Sequence, residues 1–280
     1  MILVTGATGT VGREVLRSLP AGPLVRVLAR RPERVTPTAT TEIVQGEYGD
    51  PRSLARALRG VTAVFLVTDC VGEDDAGFLR AARRAGVQHV VKLSAAAVED
   101  PHADDPITAR QRRNEHLLRT SGMQWTLLRP RSFMSNTLSW ATSVRTEHVV
   151  RALYGSSANA CVDPRDIADV AVRALTLPGL RGQVCTLTGP RAVSAVEQTA
   201  QLAELLGRPL RFEELEPARA RALWSERHSA PVVEALLHSA QRQRDGAKAR
   251  VENTVAQLVG RPPRSFRDWA AAHLPAFTPS

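Results

Sequence analysis

Short runs rich in valine, isoleucine and leucine recur along the first half of the chain, each followed by a stretch with apolar residues at helical spacing. Ile2-Leu-Val4, Leu24–Ala29, Glu42–Gln45, Ala63–Val67 and Gln88–Ser94 have the length and β-branching of buried strands. Between them, Arg13–Leu19, Ser53–Arg59 and Asp74–Ala85 repeat at the helical period. Asp50 with Pro51 predicts a capped helix start, and Gly86 a helix stop. Five strands alternating with helices through right-handed crossovers predict an α/β doubly wound parallel sheet. Past Pro130 the pattern is less regular. Asp163-Pro-Arg-Asp166 opens a helix through Leu177, residues 193–206 read as an amphipathic helix ended by Gly207, and Leu210–Glu214 reads as a strand. Largely helical sequence then runs to Leu274, while the stretch from Trp140 to Asp163 matches no template. The expected division is a core over 1–150 and, over 151–280, a mixed segment that completes the sheet and forms a small, mostly helical annex closing over one end of it.

The first strand runs into Thr5-Gly-Ala-Thr-Gly-Thr-Val-Gly12, with glycines at 6, 9 and 12, and then into a helix. A strand, a glycine turn and a helix present backbone N–H groups and a positive helix end to a pyrophosphate. Thr5, Gly6, Thr8, Gly9, Thr10, Val11 and Gly12 are therefore the candidate dinucleotide-binding residues. The end of the second strand selects between cofactors, because an acid there bonds the ribose hydroxyls of NAD. Here Arg30 and Arg31 stand in that place, and a guanidinium forks onto a 2′-phosphate, so NADP(H) is expected. Thr68 and Asp69 emerge above the same crevice, and Lys92 and Ser94, at the end of the fifth strand, are further candidates for a ribose or phosphate contact. Tyr48 falls at the same edge, where it either stacks on an adenine or packs in its own turn.

The chain has 280 residues, 43% apolar and 23% charged, enough for a full core. No apolar run approaches a membrane span and no basic-apolar leader opens the sequence, so no membrane contact and a cytoplasmic location are expected. Cys70, Cys161 and Cys185 are far apart and read as reduced, buried thiols. Scattered single histidines and cysteines predict no metal site. The net charge of +9 raises the question of nucleic acid, but all but two of the 37 basic residues are arginine, the lysines being Lys92 and Lys248. Clusters such as Arg110, Arg112 and Arg113, or Arg242 and Arg244, fall on helix-like segments beside acids. They read as solvated surface, and no nucleic-acid motif accompanies them. The positive balance is also suited to steering an anionic substrate or cofactor.

The glycine turn, Gly60–Val67, Val91-Lys-Leu-Ser-Ala95, Trp125–Pro130, Asp163–Asp169 and Gly182–Pro190 together resemble the NmrA-like atypical short-chain dehydrogenases, with a fainter echo in Gly260–Phe266. The resemblance implies a Rossmann fold and NADP(H) binding. The family includes NADPH-dependent quinone reductases, reductases of secondary metabolism, and non-catalytic NADP sensors. Ordinary short-chain dehydrogenases use a Tyr-x-x-x-Lys pair for proton transfer. The only tyrosines here, Tyr48 and Tyr154, have no lysine at that spacing, which excludes that mechanism. Where quinone-reductase-like relatives carry His-x-x-x-Glu, this chain carries Gln111 and Glu115. Gln111 is placed to orient a substrate carbonyl or the nicotinamide amide but has no proton to give. Glu115 is an acid if desolvated, or else simply the partner of an arginine. By analogy with the fold, the segment after Arg129 passes the nicotinamide, with Phe133, Met134, Leu138 and Trp140 as apolar walls and Asn136 as a polar handle, or else these side chains pack a core of their own.

Three functions remain open at this point. One is an NADPH-dependent reductase of a small carbonyl, quinone, or conjugated enone or imine, with an apolar or aromatic substrate. The second is an NADP-sensing regulator without turnover. The third is a pathway enzyme doing redox-neutral chemistry on a natural product. A monomer or a homodimer fits each.

Overall fold

The computed structural model describes residues 1–68 and 75–278. Strands and helices alternate as β1 (Ile2–Thr5), α1 (Thr10–Ser18), β2 (Val25–Ala29), β3 (Thr41–Gln45), α2 (Pro51–Leu58), β4 (Ala63–Leu66), α3 (Ala76–Arg84), β5 (His89–Leu93), α4 (Pro106–Arg119) and β6 (Gln124–Pro130). The remainder comprises α5 (Ala141–Glu147), β7 (Val149–Ala152), α6 (Pro164–Thr176), β8 (Gln183–Leu187), α7 (Ala195–Leu206), β9 (Arg211–Glu214), α8 (Pro217–Ser225), α9 (Ala230–Arg244), α10 (Thr254–Val259) and α11 (Phe266–Ala272). Seven parallel strands form one sheet in the order β3-β2-β1-β4-β5-β6-β8. The order runs outward in both directions from β1, so the chain reverses its winding between β1 and β4. Ligands of such sheets bind outside the carboxyl ends of the strands at that point.

The continuous apolar runs are explained by burial on both faces. Ile2, Val4, Phe65, Val91 and Leu128 point to one side, against Val11 and Val15 of α1 and Ile167 and Ala171 of α6. Leu3, Val64, Leu66, Val90 and Leu127 point to the other, against Leu54 of α2, Phe78 of α3 and Leu118 of α4. A one-residue slip of any strand would exchange the two sets. The helix starts follow their caps. Asp50 accepts from Arg52 N at 3.0 Å and Ser53 N at 3.2 Å with Pro51 behind it, and Ser194 and Glu197 close a reciprocal capping box on α7, which ends at the left-handed Gly207.

Beyond residue 150, β8 adds the seventh strand and α6 covers the sheet. The stretch that the sequence pattern leaves unassigned holds α5 and β7, and β7 pairs in parallel with β9, Val150 opposite Phe212. Met134, Val144, Val150, Phe266, Trp269 and Phe277 build the annex core beneath this two-stranded sheet. The fainter motif at 260–266 has a structural task. Arg261 and Arg264 pair with the fully buried Asp166 and with Asp169 of α6, the Arg261–Asp166 contact being 2.8 Å. Among the described residues no helix is long and apolar enough to cross a membrane.

Candidate cofactor and substrate site

The turn after β1 closes tightly. Gly6 has φ +64°, and Gly9 N donates to Gly6 O at 2.9 Å. A Cβ on Gly12 would lie 2.2 Å from Gly6 O, so only glycine lets α1 approach this turn. Gly9 caps α1 without any side-chain hydrogen bond, which leaves the first N–H groups of the helix unclaimed by side chains. Thr8, Gly9 and Thr10 are exposed, while Val11 and Gly12 are buried. Of the expected contacts, Thr5 is redirected. It is fully buried, donates to Phe65 O at 3.0 Å and accepts from Val67 N at 2.9 Å, so its side chain stitches β1 to β4 and does not face a ligand.

Arg30 and Arg31 are exposed at the end of β2. Tyr48 takes the packing alternative. Its hydroxyl donates to Val67 O at 2.7 Å and its ring sits 5.1 Å from Phe78, and burial holds the phenol above its usual range.

Lys92 is corrected by the structure. It is fully buried, its Nζ 2.6 Å from Asp75 Oδ2 and donating to Thr68 at 2.7 Å, and Thr68 donates in turn to Asp75 Oδ1 at 2.6 Å. Asp75 is also fully buried, and its backbone N donates to Asn114 at 3.1 Å. Burial pulls the Lys92 ammonium below its usual range, while Asp75 opposes the shift. Lys92 and Thr68 are thus spent on Asp75 at the start of α3, which Asn114 ties to α4, instead of reaching a ribose. Asp69, the neighbouring candidate, lies outside the described residues.

Glu115, 3% exposed, accepts from Ser94 Oγ at 2.6 Å and Arg129 Nε at 2.8 Å, and a second Arg129 nitrogen closes the fork. Arg129 also reaches Glu99 at 2.8 Å, and the bond to Glu115 is the leading cause of its raised pKa. The arginine-pairing alternative therefore holds for Glu115, and Ser94 is spent on the same carboxylate. One turn earlier, Gln111 differs. Its Oε1 is buried without any hydrogen-bond partner, a group that a ligand would satisfy.

A cleft of about 590 Å³, counting its open mouth, lies at the carboxyl ends of β5 and β6. Ala95, Ala96, Ala97 and Pro130 form its apolar side, and Asp100, Arg131, Ser132, Ser239, Arg242 and Lys248 its polar side. The walls expected from the next segment lie elsewhere. Met134 is 1% exposed in the annex core, Trp140 packs against that core, and Phe133 packs against the sheet core. Each follows the chain as it turns from β6 into the annex and buries its apolar side chains there. Asn136 is exposed on that turn and is not part of the cleft. The cleft's own residues are the ones that sequence reasoning passed over. Arg242, read as solvated, has a side chain only 13% exposed. The available signal was Lys248, one of two lysines in an arginine-rich chain.

The glycine cradle that a Cβ would fill, the uncapped start of α1 and the unpaired Gln111 oxygen all fit a dinucleotide lying across the strand ends. Among the described residues no group of three histidine, cysteine or acidic side chains is placed to hold a metal ion.

Comparison with known proteins agrees with this geometry. Residues 6–178 match a family model described as NAD(P)H-binding. The chain is 60% identical over 282 residues, 100% of each chain, to a (4-alkanoyl-5-oxo-2,5-dihydrofuran-3-yl)methyl phosphate reductase of Streptomyces griseus. It is 35% identical, over 99% of each chain, to an NAD(P)H azoreductase of Xenophilus azovorans. An NADPH-dependent quinone oxidoreductase of Escherichia coli, solved with NADPH, superposes with TM-score 0.81 at 24% identity over 98% of this chain and 99% of that one, a likeness of fold.

Proposed function

The chain belongs to the NAD(P)H-binding family and is an NADP-dependent reductase, and from that premise we propose that it reduces the carbon–carbon double bond of a small conjugated enone. The observation that carries this reading is the state of Glu115. The one acid expected at the site accepts from Ser94 and from Nε and Nη2 of Arg129, so both its oxygens are engaged within the protein. With no tyrosine–lysine pair either, the chemistry that suits the site is one whose anionic product needs no dedicated acid.

The substrate in the name of the streptomycete relative meets that condition. Its ring double bond lies between the carbon bearing the methyl phosphate and a carbon flanked by two carbonyls. When bound, NADPH supplies a hydride from the nicotinamide C4. Hydride added at the ring carbon that bears the methylene would leave the electron pair on the neighbouring carbon, spread over the lactone and alkanoyl oxygens. That enolate is stable enough to take its proton from water. The protein's work is then orientation. The glycine turn and the α1 N-terminus hold the diphosphate, Arg30 and Arg31 the 2′-phosphate, and the Gln111 oxygen accepts an N–H at the reacting end. The apolar side of the cleft, Ala95 to Ala97 with Pro130, supports the substrate ring.

The test is reduction of an alkanoyl-butenolide methyl phosphate with NADPH deuterated at C4. The expected product carries deuterium on the ring carbon that bears the methylene. Deuterium on a carbinol carbon would move the reading to ketone reduction. Tight NADPH binding without consumption would move it to a regulator.

A further inference from the structure

Arg131 follows directly on β6, whereas Arg242 and Lys248 lie at and beyond the end of α9, and the structure brings all three to one cleft. Arg131 donates to Ala247 O at 3.1 Å across 116 residues of sequence, which fixes the turn carrying Lys248. Lys248 Nζ donates to Ser239 Oγ at 2.7 Å. The remaining donors are not satisfied. Arg131 Nε, Arg242 Nε and Arg242 Nη1 are all buried with no hydrogen-bond partner. Arg242 forms long ion pairs with Asp100 at 3.7 Å and Asp105 at 3.5 Å, which leave its Nε and Nη1 without a hydrogen-bond partner. Asp105 gives its oxygens to Ile107 N, Thr108 N and Thr108 Oγ1 at the start of α4. Asp100 Oδ1 accepts from His102 N. Burial, and then repulsion from Arg242 and Arg131, pulls the Lys248 ammonium down to about 8, with Asp105 opposing the shift.

Two guanidinium groups that carry three unpartnered donors, an ammonium and two hydroxyls line one cleft, a donor set that matches an anion with several terminal oxygens. The cofactor's own phosphates are poorly placed to supply it. The 2′-phosphate side chains stand at the end of β2, four strands from β6 in the sheet, or about 19 Å at ~4.8 Å per strand. The diphosphate turn follows β1, about 14 Å away by the same measure. The cleft lies at the carboxyl ends of β5 and β6.

We propose that Arg131, Arg242 and Lys248 receive a phosphate monoester carried by the substrate, so that the enzyme selects a phosphorylated enone over the free alcohol. The identity of the ligand rests on the enone reading above, while the anion preference of the cleft stands on the geometry alone. In such a substrate the phosphate is one methylene from the carbon that accepts hydride, so gripping it also places that carbon.

The test has two parts. In the first, NADPH-loaded enzyme is titrated calorimetrically with phenyl phosphate and with phenol. Phenyl phosphate is expected to bind, and phenol to bind far more weakly. Arg242→Met should lower phenyl phosphate affinity about 10- to 150-fold, the range for a charge-assisted hydrogen bond. Lys248→Arg, which keeps the charge, should retain most of it, and NADPH affinity should not change in either variant. In the second, the phosphorylated enone and its free alcohol are compared as substrates of the wild-type enzyme, with the phosphate expected to lower KM at least tenfold. Phenyl phosphate that competes with NADPH would assign the cleft to the cofactor and overturn the proposal. Equal KM for ester and alcohol would overturn it as well, without reference to any variant's folding. If no enone is reduced but phenyl phosphate binds and Arg242→Met abolishes binding, the enone reading fails and the anion cleft stands.

Discussion

Replacing Lys92 by methionine isolates the buried pair at the heart of the sheet. Lys92 and Asp75 are both fully buried, 2.6 Å apart, and Thr68 bonds to each. Methionine fills the volume of the lysine stem, so little cavity forms and the perturbation is electrostatic. The Asp75 carboxylate is left in the interior with Thr68 as its remaining side-chain donor. Stranding one member of a buried pair costs about 3–5 kcal/mol. For a chain of 280 residues, an unfolding entropy of roughly 0.6 kcal/mol per kelvin converts this to a fall in Tm of about 5–8 °C. Asp75→Leu in the Lys92→Met background removes the stranded charge and should restore at least half of the loss, because an apolar replacement of a whole buried pair is often close to neutral. Urea unfolding of the wild type, the single and the double variant measures both quantities, with NADPH affinity followed in parallel. A Lys92→Met protein of unaltered stability that has lost NADPH binding would refute the reasoning and return Lys92 to the cofactor. A double variant no better than the single would show that the pair's charge is not what matters.

Gly12→Ala sets a Cβ 2.2 Å from Gly6 O, so α1 must retreat from the turn, and NADPH affinity measured by fluorescence should fall by about two orders of magnitude, equivalent to roughly 3 kcal/mol. Arg30→Ala should weaken NADPH about tenfold or more while leaving NADH nearly unaffected, which a ratio of kcat/KM values checks. His89 bears on acid stability. It is 4% exposed, and because Thr126 Oγ1 donates to Leu180 O at 2.6 Å, the ring N–H must donate to Thr126, at 2.9 Å. Burial, with Arg181 adding to it, lowers its pKa from 6.5 to about 4. Between those values the unfolded chain binds the proton and the folded one does not, so stability falls as pH drops from 6.5 toward 4, by an upper bound of about 3 kcal/mol before solvent screening. His89→Gln should flatten that slope in chemical denaturation at a series of pH values, and an unchanged slope would place the sensitivity elsewhere.

What the sequence by itself determined is local. The glycine spacing, the strand runs, the Asp50 and Asp163 helix starts and the Gly207 helix end each depend on residues within a turn or two of one another, and each is found where its pattern puts it. The place of Arg30 and Arg31 at the end of β2 was legible for the same reason, since a strand end needs only its own strand to be recognised. Tertiary structure decided whatever depends on which distant segments meet. β7 carries too weak a pattern to be read alone, and it becomes a strand by pairing with β9 about sixty residues later. Glu115 sits on a helix face that suits an acid equally well, and it is Arg129 on the neighbouring strand that claims it. Lys92 reads as a free cation at the sheet's edge until α3 brings Asp75 over it. The cleft is the extreme case, since Arg131 lies more than a hundred residues before Arg242 and Lys248 and the spacing carries no period. A charge's function depends on the charges and space around it, and for these groups only the folded chain supplies both.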